Sequence, residues 1–172
     1  AKWYTLAAEQ GIVTAQSNLG ALYLTGKGVQ QSYKAAIKWY SVAAKEGDVN
    51  AQYSLAIMYK NGTGTLQNYE EAVKLYINAA EQGHTNAQFN LGVMYYYGRG
   101  AKQNLILAHK WWNIAATKGD TGAREQRTAV EKFMTKTELA KARKLARSFT
   151  PPRIEPSIPL SPQIQGKPLK II

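Results

Sequence analysis

The chain has 172 residues, 45% of them hydrophobic, with no cysteine and with 22 Lys+Arg against 11 Asp+Glu for a net charge of +11. That length suits one globular domain or one short array with a sizeable core. The missing cysteines exclude disulfides, thiolate metal sites and a cysteine nucleophile. No apolar run reaches the roughly 18 residues that a membrane-spanning helix needs. The positive excess favours acidic partners or surfaces and carries no information about the fold.

Along the chain, one pattern returns at a spacing of 36 residues. Ala15-Gln16 recurs as Ala51-Gln52 and Ala87-Gln88, and Ala123-Arg124 opens a fourth unit at the same interval. The offset also links Leu19, Leu55 and Leu91; Gly20, Ala56 and Gly92; Tyr23, Tyr59 and Tyr95. Later in each unit come Trp39, Leu75 and Trp111, then Tyr40, Tyr76 and Trp112, then Gly47, Gly83 and Gly119. Trp3, Tyr4, Ala7, Ala8 and Gly11 match the second half of a preceding unit, so the first residues read as the end of a partial repeat and the natural chain is expected to extend upstream.

Each unit reads as two antiparallel helices. The first covers about 14–25, where Ala15, Leu19, Leu22 and Tyr23 make one apolar face at three- and four-residue spacing. Gly20 and its equivalents cost helix propensity, which predicts close approach of a neighbouring helix there. Gly26-Lys27-Gly28 ends the helix, because glycine accepts the left-handed conformation of a C-terminal cap. The second helix covers about 33–46, aligning Ala36, Trp39, Tyr40 and Ala43 before Gly47. One such pair cannot bury its apolar face alone, so the pairs must stack into an all-α solenoid. Trp39, Tyr40, Tyr76, Trp111 and Trp112 recur in register and are assigned to its core.

The pattern A-x-x-x-L-G-x-x-Y-x-x-G-x-G followed by A-x-x-W-Y-x-x-A-A-x-x-G resembles the Sel1-like repeat, a relative of the tetratricopeptide repeat. The resemblance implies a right-handed superhelix with a partial repeat at 1–14, repeats at 15–50, 51–86 and 87–122, and a degenerate capping repeat at 123–149. Ala56 departs from the motif glycine, and Thr65 and Ala101 stand where Val29 fits it. Asn68 and Asn104 lie near a frequently acidic position. Relatives stapled by a cysteine pair in each unit are a poor match.

Thr135-Lys136-Thr137-Glu138 offers a capping box for a last helix running to about Phe149. On that helix Leu139, Ala142, Leu145, Ala146 and Phe149 share one face, which predicts a cap over the core with Lys136, Arg143, Lys144 and Arg147 turned elsewhere. Residues 150–172 hold all six prolines and read as an extended tail, either a solvated linker or a segment docked on the array.

Catalytic chemistry finds little support. His84 falls in a turn and His109 in a second helix, with no partner histidine or recurring carboxylate to form a metal pair. The Gly26, Gly62 and Gly98 triplets lack the preceding strand and the G-K-[ST] ending of a phosphate loop, so helix capping explains them. Glu70 and Glu71 are adjacent on a helix and point apart, unlike a paired acid and base. The reading is a protein that is not an enzyme and takes no cofactor and no metal. Residues 123–149 hold eight basic against three acidic side chains, the densest positive stretch, and make an anionic partner possible there.

By resemblance to tetratricopeptide geometry, the first helices line a concave groove, where their non-motif positions face inward. The aromatic and amide groups concentrate in the middle units: Asn50, Tyr53, Lys60 and Asn61, then Asn86, Phe89, Tyr96 and Tyr97. Tyrosine and phenylalanine give large contact area at low rotamer cost, asparagine pairs with peptide backbone, and lysine meets carboxylate. Tyr53 and Phe89 serve equally well as packing between helix pairs, whereas Tyr96 and Tyr97 are expected to be exposed because Tyr95 fills the motif position. The leading reading is a monomeric scaffold that binds a peptide or protein partner in the groove, in a bacterial envelope or host-interaction process, in the periplasm or outside the cell rather than in the cytoplasm. Two alternatives use the basic face instead: binding of peptidoglycan or its enzymes, and binding of nucleic acid.

Overall fold

The computed structural model describes residues 2–151. Among them are nine α-helices and no strand: α1 Lys2–Glu9, α2 Val13–Thr25, α3 Tyr33–Lys45, α4 Val49–Asn61, α5 Tyr69–Glu81, α6 Thr85–Tyr97, α7 Leu105–Thr117, α8 Thr121–Glu131 and α9 Lys136–Arg147. From α1 to α8 each helix packs on its neighbours in the chain, the order of a helical solenoid, and α2 also touches α4. No described helix is long and apolar enough to cross a membrane.

The repeated residues account for this regularity one by one. The α2, α4 and α6 helices end at Gly26, Gly62 and Gly98, whose positive φ of 72°, 70° and 66° closes each terminus. The second helices start on Ser32, Asn68 and Asn104, whose side chains accept the N–H of Ala35, Glu71 and Leu107. Asn68 and Asn104 are therefore full substitutes for an acidic cap. At Gly20 a β-carbon would stand 2.8 Å from the ring of Tyr40, and at Gly92 one would stand 2.5 Å from Trp112 Nε1. The close approach anticipated at these glycines is thus made by an aromatic ring of the following helix.

Gln16, Gln52 and Gln88 are buried and donate from Nε2 to the carbonyls of Ala8, Ala44 and Ala80 at 3.2, 3.1 and 2.9 Å. Each bond ties a first helix to the end of the second helix before it, as a second bond to a carbonyl that also accepts the N–H of Gly11, Gly47 or Gly83. In the fourth unit Arg124 replaces this glutamine and stands exposed, so the tie is lost where the regular repeat stops.

Tyr40, Tyr76, Trp111 and Trp112 are buried as expected. Trp39 is a correction: it is only half-buried against Ala8, Ala15 and Leu19, because no described helix covers its outer side. Its equivalent Trp111 is 3% exposed because α9, opened by the anticipated Thr135–Glu138 capping box, packs on α7 rather than against α8. Ala142 is buried, Ala146 and Phe149 reach the central core, and the Phe149 ring lies 5.4 Å from that of Trp111. The tail beyond Pro151 lies outside the described residues.

Candidate interaction surface

Each first helix carries, two residues after its motif alanine, a side chain that meets the N-cap of the next first helix. In the first unit Ser17 Oγ donates to Asp48 Oδ1 at 3.0 Å, while Asp48 also accepts the Ala51 N–H to cap α4. One unit later Tyr53 stacks on His84 at 4.3 Å, and His84 Nδ1 accepts the Ala87 N–H to cap α6. In the third unit Phe89 lies against Gly122, just past the Asp120 cap of α8. Tyr53 and Phe89 are accordingly half-buried between units, the packing alternative of the two readings, with one edge of each left at the surface.

Around Tyr53 the structure gathers a polar ledge. The side chains of Asn90 and Asn86 stand near its hydroxyl and partly oppose the upward push that burial gives its pKa. Asn90 Nδ2 in turn donates to the Asn86 carbonyl at 2.9 Å. Burial lowers the pKa of His84 from its ordinary value, which keeps Nδ1 free to accept its cap bond. Asn50, Asn61 and Asn86 are exposed, and Lys60 is half-buried with its carbonyl bonded by Gln67 Nε2 at 2.9 Å.

At the end of α6, Tyr97 is 60% exposed, as anticipated. Tyr96 is not: it is half-buried with its ring 5.7 Å from buried Trp112 and 4.9 Å from Tyr97, edge to face. Tyr96 therefore anchors the pair to the core while Tyr97 presents the contact area. Arg99 lies over Tyr97 at 5.1 Å and over Tyr69 at 5.8 Å, holding a cation against both rings. The arrangement offers aromatic faces, amides and one fixed positive charge. Among the described residues no group of three or more histidine or carboxylate side chains is placed to hold a metal.

One member of this surface escapes inspection of the pattern. Asn90 occupies the position of Asn18 and Ser54, whose polar character recurs in the sequence, but only the α4–α6 geometry brings it to Tyr53. By contrast, Gln31, Gln67 and Gln103 recur at the repeat period and bond the carbonyls of Leu24, Lys60 and Tyr96, a structural role that fixes the edge of this surface.

Comparison with known proteins places this geometry among helical repeats. A family model described as Sel1 repeat matches residues 1–12, 13–48, 49–84 and 85–120. Among solved structures, the chain is similar to c5321, a protective antigen present in uropathogenic Escherichia coli strains that displays an SLR fold. That likeness has 36% identity and a TM-score of 0.79, and covers 86% of this chain and 32% of the antigen, about a third of its length. A Sel1 repeat protein from Oxalobacter formigenes is 33% identical over 73% of this chain and 95% of its own, with a TM-score of 0.68. Cysteine rich protein B of Helicobacter pylori shares the fold at 23% identity and a TM-score of 0.57, covering 72% of this chain and 94% of its own. No curated protein matches the chain significantly.

Proposed function

Because the chain belongs to the Sel1 repeat family, whose arrays mediate protein–protein interaction and are generally not enzymes, we propose that it binds a peptide or protein partner along the groove face of α2, α4 and α6. The observation that carries this reading is the concentration of contact chemistry on α4 and α6 outside the motif positions. Tyr97 and Asn61 stand exposed at the helix ends, Asn50 and Asn86 at the helix starts, and half-buried Tyr53, Phe89 and Tyr96 lie among them on a rigid floor. Anchors already held by packing lose little entropy when a partner arrives. Lys60 and Arg99 add charges for an acidic group on that partner. The asparagines match the backbone of an extended segment, so the bound element is an extended peptide with aromatic or aliphatic side chains.

A bacterial envelope or host-facing setting, in the periplasm or outside the cell, is part of the same proposal. Its support is the protective antigen from uropathogenic strains, of which this chain spans about a third.

A photo-crosslinking amino acid at Asn61 or Tyr97, compared with one at exposed Lys74 on α5, tests the reading in a lysate and in envelope fractions. One protein captured from both groove positions and not from Lys74 is the expected result. Equal capture from Lys74, or none from Asn61 and Tyr97, contradicts it.

A further inference from the structure

The repeat explains α2 through α7 but not the path of α9, which leaves the array order and returns across α7. The fold-back has an electrostatic consequence. It brings Arg143 and Arg147 of α9 to the flank of α7 that Arg127 of α8 reaches from the other side. Together with His109, Asn113 and Glu131 these arginines line a cleft of about 430 Å³.

Half of this cleft is already satisfied. Glu131 Oε1 lies 2.9 Å from His109 Nε2 and 3.3 Å from a guanidinium nitrogen of Arg143. A carboxylate only accepts, so His109 Nε2 carries the hydrogen, and burial holds the imidazole neutral by lowering its pKa. Three guanidinium charges against one carboxylate leave two positive charges in excess.

The other half is open. Arg127 donates from one terminal nitrogen to Asn113 Oδ1 at 2.9 Å, while its buried Nε has no hydrogen-bond partner among the described residues. The Arg147 side chain is exposed and makes no hydrogen bond or ion pair among them. His109, 0% exposed, lines the same cleft, but with the hydrogen on Nε2 its unpartnered Nδ1 is an acceptor and adds no donor for an anion. A buried guanidinium donor without an acceptor is costly, and exposed Arg147 sets a second cation beside Arg127, which makes this side a site in want of an anion.

We propose that this α7–α9 cleft docks an acidic side chain of a protein partner, its carboxylate held between Arg127 and Arg147. Glu131 sets the pattern: one carboxylate is already bridged from α7 to α9 in the same cleft. Continuity of the surface points to a polypeptide rather than a free ion. Asn113 and Arg147 also border an adjoining hollow of about 220 Å³ lined by Ile114, Ala146 and Phe149 with Lys118 at its edge, where the residue after the acidic one finds apolar contact. None of the lining residues belongs to the groove face, so the site is independent of the groove reading.

The test uses the full chain, an end-blocked Glu-Leu-Glu-Leu peptide, its Gln-Leu-Gln-Leu counterpart and inorganic phosphate, read by NMR of the arginine Nε–Hε signals. The glutamate peptide is expected to shift Arg127 and Arg147 saturably. Arg127→Gln and Arg147→Gln weaken it at least tenfold, and exposed Arg124→Gln on α8 leaves it unchanged. Arg147 is exposed, so its variant keeps the test decisive even where Arg127→Gln melts early. Equal weakening by Arg124→Gln reduces the effect to net charge and overturns the site. Phosphate binding as tightly as the peptide, or equal binding of the glutamine peptide, overturns the acidic-segment assignment. A tenfold gain in affinity from Glu155→Gln in the full chain assigns the cleft to the chain's own tail and overturns an external partner.

Discussion

Trp39 and Trp111 occupy the same position of the repeat, yet one is half-buried and the other is closed off at 3% exposure. The difference comes from outside the repeat. Among the described residues no helix covers the outer side of α3, whereas α9 lies over α7 and sets Phe149 against Trp111, with Lys110 Nζ 4.1 Å from the indole centroid. A repeat position thus specifies a location, and the neighbours decide how much it stabilises. At the opposite end Trp3, one period before Trp39, is 83% exposed on α1.

The comparison breaks most directly by truncation. Trp111→Ala should cost about 3–5 kcal/mol, because it empties a closed site, and Trp39→Ala roughly 1–2 kcal/mol, because the site is already half in water. Urea unfolding of both variants checks the ranking, and equal losses would sink the covering argument. Gly92→Ala comes next at about 1–3 kcal/mol, since its new methyl meets the Trp112 indole in a packed interior. Phe149→Ala should remove roughly 1–2 kcal/mol of half-buried apolar contact. It should also raise hydrogen exchange in α7 while leaving α3 unchanged.

Acid sharpens the same contrast, because the titrating pair sits at the C-terminal end. Burial holds His109 below its ordinary 6.5, so the unfolded chain takes up that proton at higher pH than the folded one does. Glu131 lies below its ordinary 4.5, first through its hydrogen bond with His109, and works in the same direction. Stability is therefore full above about pH 6.5 and falls as pH drops through the two folded values. His84, also lowered by burial, adds to the loss from the middle of the array. Thermal midpoints of wild type and His109→Gln between pH 7 and pH 4 should differ in slope, and parallel curves would contradict the assignment. The smallest effect is reserved for Tyr97→Ala, within about 0.5 kcal/mol of wild type. Tyr96→Ala should cost more, because it also strips a ring from Trp112.

The legible part of this molecule is whatever recurs. Helix pairs, glycine caps, the ring-against-glycine contacts and the capping box of α9 all follow from spacing and local chemistry, since each acts within a few residues or repeats at 36. Tyr96 was misjudged as exposed because a helical wheel shows which face a residue takes but not that Trp112 of the next helix stands there. Trp39 was misjudged for the converse reason, a motif residue without a cover. Arg127, Arg143 and Arg147 show only as a basic stretch in sequence. Their convergence depends on α9 packing on α7, a long-range choice that no local pattern encodes.

The central claim is that the non-motif positions of α4 and α6 hold a partner while the motif positions hold the fold. Hydrogen–deuterium exchange of the array, alone and with the protein captured by crosslinking from Asn61, tests it directly. Protection gained in peptides spanning 49–61 and 85–99 is the predicted result. Protection confined to the helices around the arginine cleft, with α4 and α6 unchanged, would contradict it.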